Sequence, residues 1–166
     1  MTRKLLNLRE QLGFYKRYHH NKVNVAIHSI FVPTILISSC MLLNRYKIGS
    51  GWTLANIFGI AYSVYYISLN YAVGALASLL IYLINYGINE WQTDLKFEAG
   101  VFCLSWMFQF IGHGVFEGKK PALLDNLVQS LVLAPYFILF ELLFVLGFYK
   151  NLNIQLKNDL EKTKNI

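Results

Sequence analysis

Charge is what this chain has little of. Only 14% of its 166 residues are Asp, Glu, Lys or Arg, against roughly 25% in an ordinary soluble domain. The deficit is concentrated, because no charged residue stands between Lys47 and Glu90. A helix needs about 20 apolar residues to cross a bilayer, and this gap has room for two such helices. A soluble chain of this size has no interior able to bury both sides of so long an apolar stretch, so a soluble globular fold is excluded. Cysteine is scarce too. Cys40 and Cys103 both lie in apolar runs, without C-x-x-C or zinc-finger spacing, and are expected to be free, buried thiols. No P-loop, dinucleotide fingerprint or nucleophile elbow is present. Gly112-His113-Gly114 has no nearby serine. Nucleotide-dependent and serine-hydrolase chemistry are thereby excluded, and metal chemistry is left as the one with enough parts.

What the chain does have is apolar and aromatic. Hydrophobic residues make up 55% and aromatics 16%, and the net charge is +6. Tyr46, Trp52, Tyr71, Tyr86, Trp91, Phe148 and Tyr149 sit near the ends of apolar runs, as interfacial belts do. The basic excess lies at the chain ends, with Arg3, Lys4, Arg9, Lys16, Arg17 and Lys22 before the first run and Lys150, Lys157, Lys162 and Lys164 after the last. That pattern implies a cytosolic N-terminus and anionic headgroups as neighbours. No basic stripe exists away from these flanks, so nucleic acid is not an expected partner. The residues before Val25 lack the apolar core of a signal peptide, and the membrane segments are expected to be their own insertion signals.

Hydrophobic periodicity predicts an amphipathic helix over about 5–18, where Leu5, Leu8, Leu12 and Tyr15 recur at helical spacing. Apolar segments follow at about 25–43, 52–69, 72–88, 99–112 and 127–148. The 72–88 segment follows the 52–69 segment so closely that the two are expected to form a tight hairpin. The fourth is short for a full crossing. The fifth contains Pro135 and Glu141, and is expected either to cross or to bend at Pro135 and return. The expected fold is an all-α, polytopic transmembrane helical bundle, one membrane-embedded domain over 1–166 with four to five membrane segments.

Ionisable groups at membrane depth are costly and are default candidates for a site. The chain has four histidines, His19, His20, His28 and His113. On one straight helix His20 and His28 would lie about 12 Å apart at ~1.5 Å per residue, too far to share a metal. Either two metals are bound or the helix begins after His20 with the loop folded back, and Asn21 and Asn24, both good capping residues, favour the break. With a cytosolic N-terminus, four crossings precede His113. All four histidines are then expected at one membrane face. Neutral imidazole suits Fe, Zn, Cu and Ni, and a histidine site with open positions can hold Fe(II) and activate dioxygen. Glu117 and Asp125 fall on the same side, as a possible carboxylate ligand or, more simply, as solvated loop charges. Glu141, inside an apolar run, is expected to pair with a basic group or be protonated.

Three blocks resemble a known family. They are Leu6–Tyr15 with Tyr18-His19-His20-Asn21 and Asn24–Pro33, then Trp106–Phe116, then Lys120–Leu123 with Asp125–Pro135. Together they resemble the fungal 2-hydroxy-fatty-acid dioxygenases, over nearly the whole chain. The middle, Ile48–Glu98, matches only in hydropathy. The resemblance implies a multi-pass endoplasmic-reticulum enzyme of fatty-acid α-oxidation that uses Fe(II) and O2. Its substrate would be a 2-hydroxy fatty acid, such as one from phytosphingosine breakdown, shortened by one carbon. It also implies that His19, His20, His28 and His113 hold the iron. A 2-hydroxy acid can chelate Fe(II) through hydroxyl and carboxylate, with its alkyl chain among the apolar helices at ~0.8 kcal/mol per buried CH₂. Asn24, Gln109 and Lys120 are the candidates for orienting the carboxylate. The competing reading is a non-enzymatic lipid-binding or membrane-shaping protein, which the hairpin and amphipathic helix would suit. A diiron hydroxylase looks as if it needs about twice as many histidines.

Overall fold

The computed structural model describes residues 5–91, 93–118 and 127–164, with side chains in the last segment from Ser130 to Lys162. Lys120 and Asp125 lie outside the described residues. Among those residues the regular structure is helical apart from one short ribbon. The helices are α1 (Leu8–Lys16), α2 (Lys22–Asn44), α3 (Leu54–Leu69), α4 (Tyr71–Glu90), α5 (Leu95–Ile111), α6 (Leu127–Val145) and α7 (Lys150–Lys164). A π-helical turn, Gly112–Glu117, continues α5. The ribbon pairs β1 (Lys47–Ile48) with β2 (Trp52–Thr53) antiparallel, and Gly49 and Gly51 supply the positive φ of its turn.

Three helices are long and apolar enough to cross a membrane, namely Lys22–Asn44, Tyr71–Glu90 and the continuous Leu95–Glu117. The number rises to four if α6 and α7, bent at 113°, count as one broken span. Three expectations are corrected here. Helix α3, with 16 residues, is shorter than the crossing expected of the second run, so the candidate spans up to and including the helix that carries His113 are three and not four. The fourth apolar run is not short, because the π-turn and the residues from Leu95 extend it to 23 residues. The last run does not bend at Pro135. Helix α6 passes through Pro135 intact, as apolar helices tolerate proline. It stops at Val145, where Gly147 takes φ 86°. The Gly147 N–H donates to Phe144 O at 3.1 Å and the Phe148 N–H to Leu143 O at 2.8 Å, the paired bonds of a glycine-terminated helix.

The chain divides into two compact units, residues 30–109 and the two flanking segments 1–29 with 110–166. In the 30–109 unit, α3 and α4 form the expected hairpin. Asn70 caps α4 by accepting the Val73 N–H at 3.0 Å. Gly74 is required, since a Cβ there would lie 2.4 Å from the Ile67 backbone nitrogen. Thr53 and Asn56 form a reciprocal cap on α3. The Arg45 guanidinium grips buried Glu98 at 2.7 and 3.0 Å, and Phe31 stacks on Phe108 at 4.3 Å. Cys40 packs in an apolar cluster with Ala55 and Ile88. Cys103 is free but exposed, not buried as expected. The outer faces of α3 and α4 are apolar, with Val64 65% and Leu79 53% exposed; an apolar surface of this extent calls for lipid rather than water.

In the other unit α1 lies against α6 and α7. Its apolar stripe is shorter than predicted: Leu12 and Tyr15 are buried while Leu5 is exposed. Arg9 holds Asp159 of α7 at 2.8 Å through two bonds.

Candidate metal centre

The break expected between His20 and His28 exists. Helix α1 ends at Lys16 and α2 begins at Lys22. The Asn21 side chain accepts the Val23 and Asn24 N–H groups at 2.8 and 3.4 Å, so a capping residue restarts the helix. The chain between carries His19 and His20 outside any helix. His28 follows almost two turns into α2, and His113 occupies the π-turn after α5.

Three of the four histidines meet. The ring centroids of His19 and His28 are 4.4 Å apart, those of His19 and His113 4.9 Å, and those of His28 and His113 4.7 Å. All three are at least 95% buried, and one nitrogen from each lies within 4.8 Å of the others. His20 is not in this group. Its backbone N–H donates to Glu117 Oε1 at 2.8 Å, and its ring Nδ1 stands 3.4 Å from the same oxygen.

The backbone fixes two of the three rings. His19 Nδ1 is 2.8 Å from Tyr15 O, and His28 Nδ1 is 2.9 Å from Asn24 O. A carbonyl only accepts, so both Nδ1 atoms carry the proton and both Nε2 atoms present lone pairs. This is how ligating histidines are oriented. Burial, and then the neighbouring His28, push His19 well below the ordinary histidine range, which keeps its ring neutral and ready to ligate. Tyr15 also stacks on the His19 ring at 3.9 Å and 4°.

Whether a metal fits can be judged from these atoms. His19 Nε2 is buried and no donor among the described residues reaches it. His28 Nε2 and His113 Nε2 are 3.1 Å apart. Two imidazole nitrogens each ~2.0–2.1 Å from a metal would be separated by about 2.9–3.4 Å, depending on the bond angle. The donor set is all imidazole and buried. It fits a borderline divalent cation of the Fe, Zn, Cu or Ni class.

Glu117 organises the surrounding shell. Its side chain is 3% exposed, which overturns the reading of Glu117 as a solvated loop charge. Besides His20, its carboxylate accepts the Asn21 N–H and the Asn24 Nδ2–H, each at 3.0 Å. Asn21 returns a bond from Nδ2 to Phe116 O at 2.8 Å. These bonds tie the π-turn carrying His113 to the helix start carrying His28. The π-turn has the same effect: one extra residue in the turn re-aims His113. The sequence signal for Glu117 was its position four residues after His113, the spacing of one helical turn.

Asn24 is fully buried, its amide nitrogen committed to Glu117 and its Oδ1 without a partner among the described residues. A Cβ on Gly112 would come within 2.4 Å of that Oδ1, so glycine is needed for the two segments to close. Gln109 belongs to the 30–109 unit, where it is buried with its amide nitrogen unpartnered among the described residues. Glu141 pairs with Lys16 at 3.0 Å, one of the two outcomes expected for it.

Comparison with known proteins agrees on one family. A family model described as 2-hydroxy-palmitic acid dioxygenase Mpo1-like matches residues 5–146. The 2-hydroxy-palmitic acid dioxygenase MPO1 of Saccharomyces cerevisiae is 53% identical over 165 residues, covering 98% of this chain and 95% of the yeast protein. No solved structure matches.

Proposed function

The chain belongs to the Mpo1-like family, and from that premise we propose that it is an Fe(II)-dependent dioxygenase of 2-hydroxy fatty acids, held in the endoplasmic-reticulum membrane with its histidine site toward the cytosol. The family is one of enzymes, and the alternative of a non-enzymatic lipid-binding or membrane-shaping protein gives way to it. The observation that carries the reading is the buried cluster of His19, His28 and His113, with one nitrogen from each within 4.8 Å of the others.

The overall reaction balances without an external reductant. RCH(OH)COOH and O2 give RCOOH, CO2 and H2O, the carbon of the carboxyl group leaving as CO2 and the hydroxyl carbon becoming the new acid. Fe(II), when bound, would supply dioxygen activation and Lewis acidity.

The chain's own residues do the rest. His19, His28 and His113 would hold the metal, with Tyr15 O and Asn24 O keeping two of the rings in the ligating tautomer. Three protein ligands leave positions open for substrate and dioxygen. His20 is assigned to the outer shell through Glu117, not to the metal. Asn24 Oδ1 is an acceptor, so it suits the substrate's 2-hydroxyl rather than its carboxylate. Burial of the centre excludes water, which strengthens each polar contact within it.

The test is metal removal and return. Chelation of the purified protein is expected to abolish conversion of 2-hydroxypalmitate to the C15 acid, and Fe(II) but not Zn(II) is expected to restore it. Full activity in rigorously metal-free protein would overturn the reading.

A further inference from the structure

Helix α6 carries one carboxylate, Glu141, in an otherwise uncharged helix. Lys16 at the end of α1 meets it at 3.0 Å, with the two side chains 14% and 21% exposed. The same ammonium reaches Asn153 Oδ1 at 3.4 Å and lies 5.3 Å over the Phe144 ring. One turn before Glu141 on α6 is Phe137, the spacing that puts two side chains on one face. Phe137 packs on Tyr15 at 3.9 Å and flanks His19 at 5.9 Å. Tyr15 in turn stacks on His19 and accepts its Nδ1–H. Two consecutive residues of α1, Tyr15 and Lys16, are thus held by two residues of α6, and His19 rests on the first of them.

His19 needs such a hold more than its neighbours. His28 sits inside α2 and bonds to its own helix. His113 sits in the π-turn that Glu117 and Asn21 pin down. His19 alone of the three lies outside any helix.

We propose that the Lys16–Glu141 ion pair is a positioning device for the metal centre, setting the depth and plane of His19 by locking α1 onto α6 through Tyr15. This rests on the reading of the three histidines as metal ligands. Without the carboxylate, the Lys16 ammonium faces an apolar helix and is driven out to water. Tyr15 shifts with it, and His19 loses both the stacked ring and the carbonyl that orients it. Loss of an outer-shell partner typically costs ~10–100-fold in metal affinity.

The test uses the full chain in nanodiscs and Co(II) as the probe, whose visible absorption reports ligand number and geometry. Glu141→Gln and Lys16→Met are each expected to weaken Co(II) binding by ~10–100-fold and to alter the absorption band. Lys16→Arg keeps the charge and is expected to stay near wild type. The exchanged pair, Lys16→Glu with Glu141→Lys, is expected to recover most of the affinity. Arg9→Met breaks the other ion pair of α1, the one to Asp159, and is expected to leave Co(II) binding unchanged. The proposal is overturned if Glu141→Gln binds Co(II) with wild-type affinity and spectrum. It is equally overturned if Arg9→Met weakens binding as much, since the effect would then be a general loosening of α1. Failure of the wild-type chain to bind Co(II) at all overturns the metal reading itself, and this proposal with it.

Discussion

The two compact units satisfy their buried polar groups in different ways. In residues 30–109 the solution is mostly local. Ser38 and Ser105 donate to carbonyls four residues back in their own helices, and Thr53 bonds within its own cap. The exception is Arg45 with Glu98, between the end of α2 and the start of α5. In the flanking unit His19 and His28 also bond to carbonyls four residues back, but polar side chains there reach across the chain as well: His28 to His113, Asn24 to Glu117, half-buried Lys16 to Glu141. Local satisfaction lets a helix sit in lipid without partners. Long-range satisfaction forces distant segments into one arrangement, which a metal centre requires. The three meeting histidines fall in the second of these units.

The sharpest way to break this comparison is at the centre itself. His28→Ala or His113→Ala is expected to abolish metal binding and activity, exceeding the ~10–100-fold loss typical of an outer-shell change, while the helix content by circular dichroism stays intact. Retained metal in either variant would remove the site from its unit. Glu117→Gln comes next. It swaps one acceptor oxygen for an amide that confronts N–H donors, and is expected to weaken metal affinity by ~10–100-fold, measured by chelator competition.

In the 30–109 unit, Gly74→Leu forces a side chain against the Tyr66–Ile67 backbone. A loss of about 1–3 kcal/mol or more in stability is expected, read as a lower melting temperature at unchanged metal stoichiometry per folded protein. A drop in that stoichiometry would show that this unit and the site are one device. The smallest effect is expected from Pro135→Ala. Since α6 runs through Pro135 and its stop is built at Gly147, accessibility of cysteines introduced on either side of residues 146–149 should not change.

Much of the 30–109 fold was legible in the sequence because its cause is local. A charge-free stretch longer than two crossings dictates helices in lipid, and the Asn70 junction leaves no length for anything but a hairpin. The centre was legible in its residue types but not in its membership. His20 and His28 share a helical spacing, yet it is His19 that joins His28 and His113. Choosing between adjacent histidines depends on how α1 ends and how the next turn rotates, and Tyr15 decides that by accepting the His19 Nδ1–H. Glu117 read as a loop charge because its three N–H partners, on His20, Asn21 and Asn24, lie over ninety residues away in the chain. Pro135 drew attention as a breaker, while Gly147 ended the helix. Proline only removes a hydrogen bond that an apolar helix can spare, whereas a glycine at φ 86° turns the backbone out of the helix altogether.

By itself, then, the sequence determined an all-helical chain with apolar spans and put forward its histidines as candidate ligands, since hydropathy and residue type act without reference to distant contacts. Only the tertiary structure decided which three histidines meet, that Glu117 binds the start of α2, and that Lys16 spends its charge on Glu141. Each of those outcomes includes a pairing between residues 85 to 125 positions apart, and a pairing at such distance exists only once the intervening helices have packed.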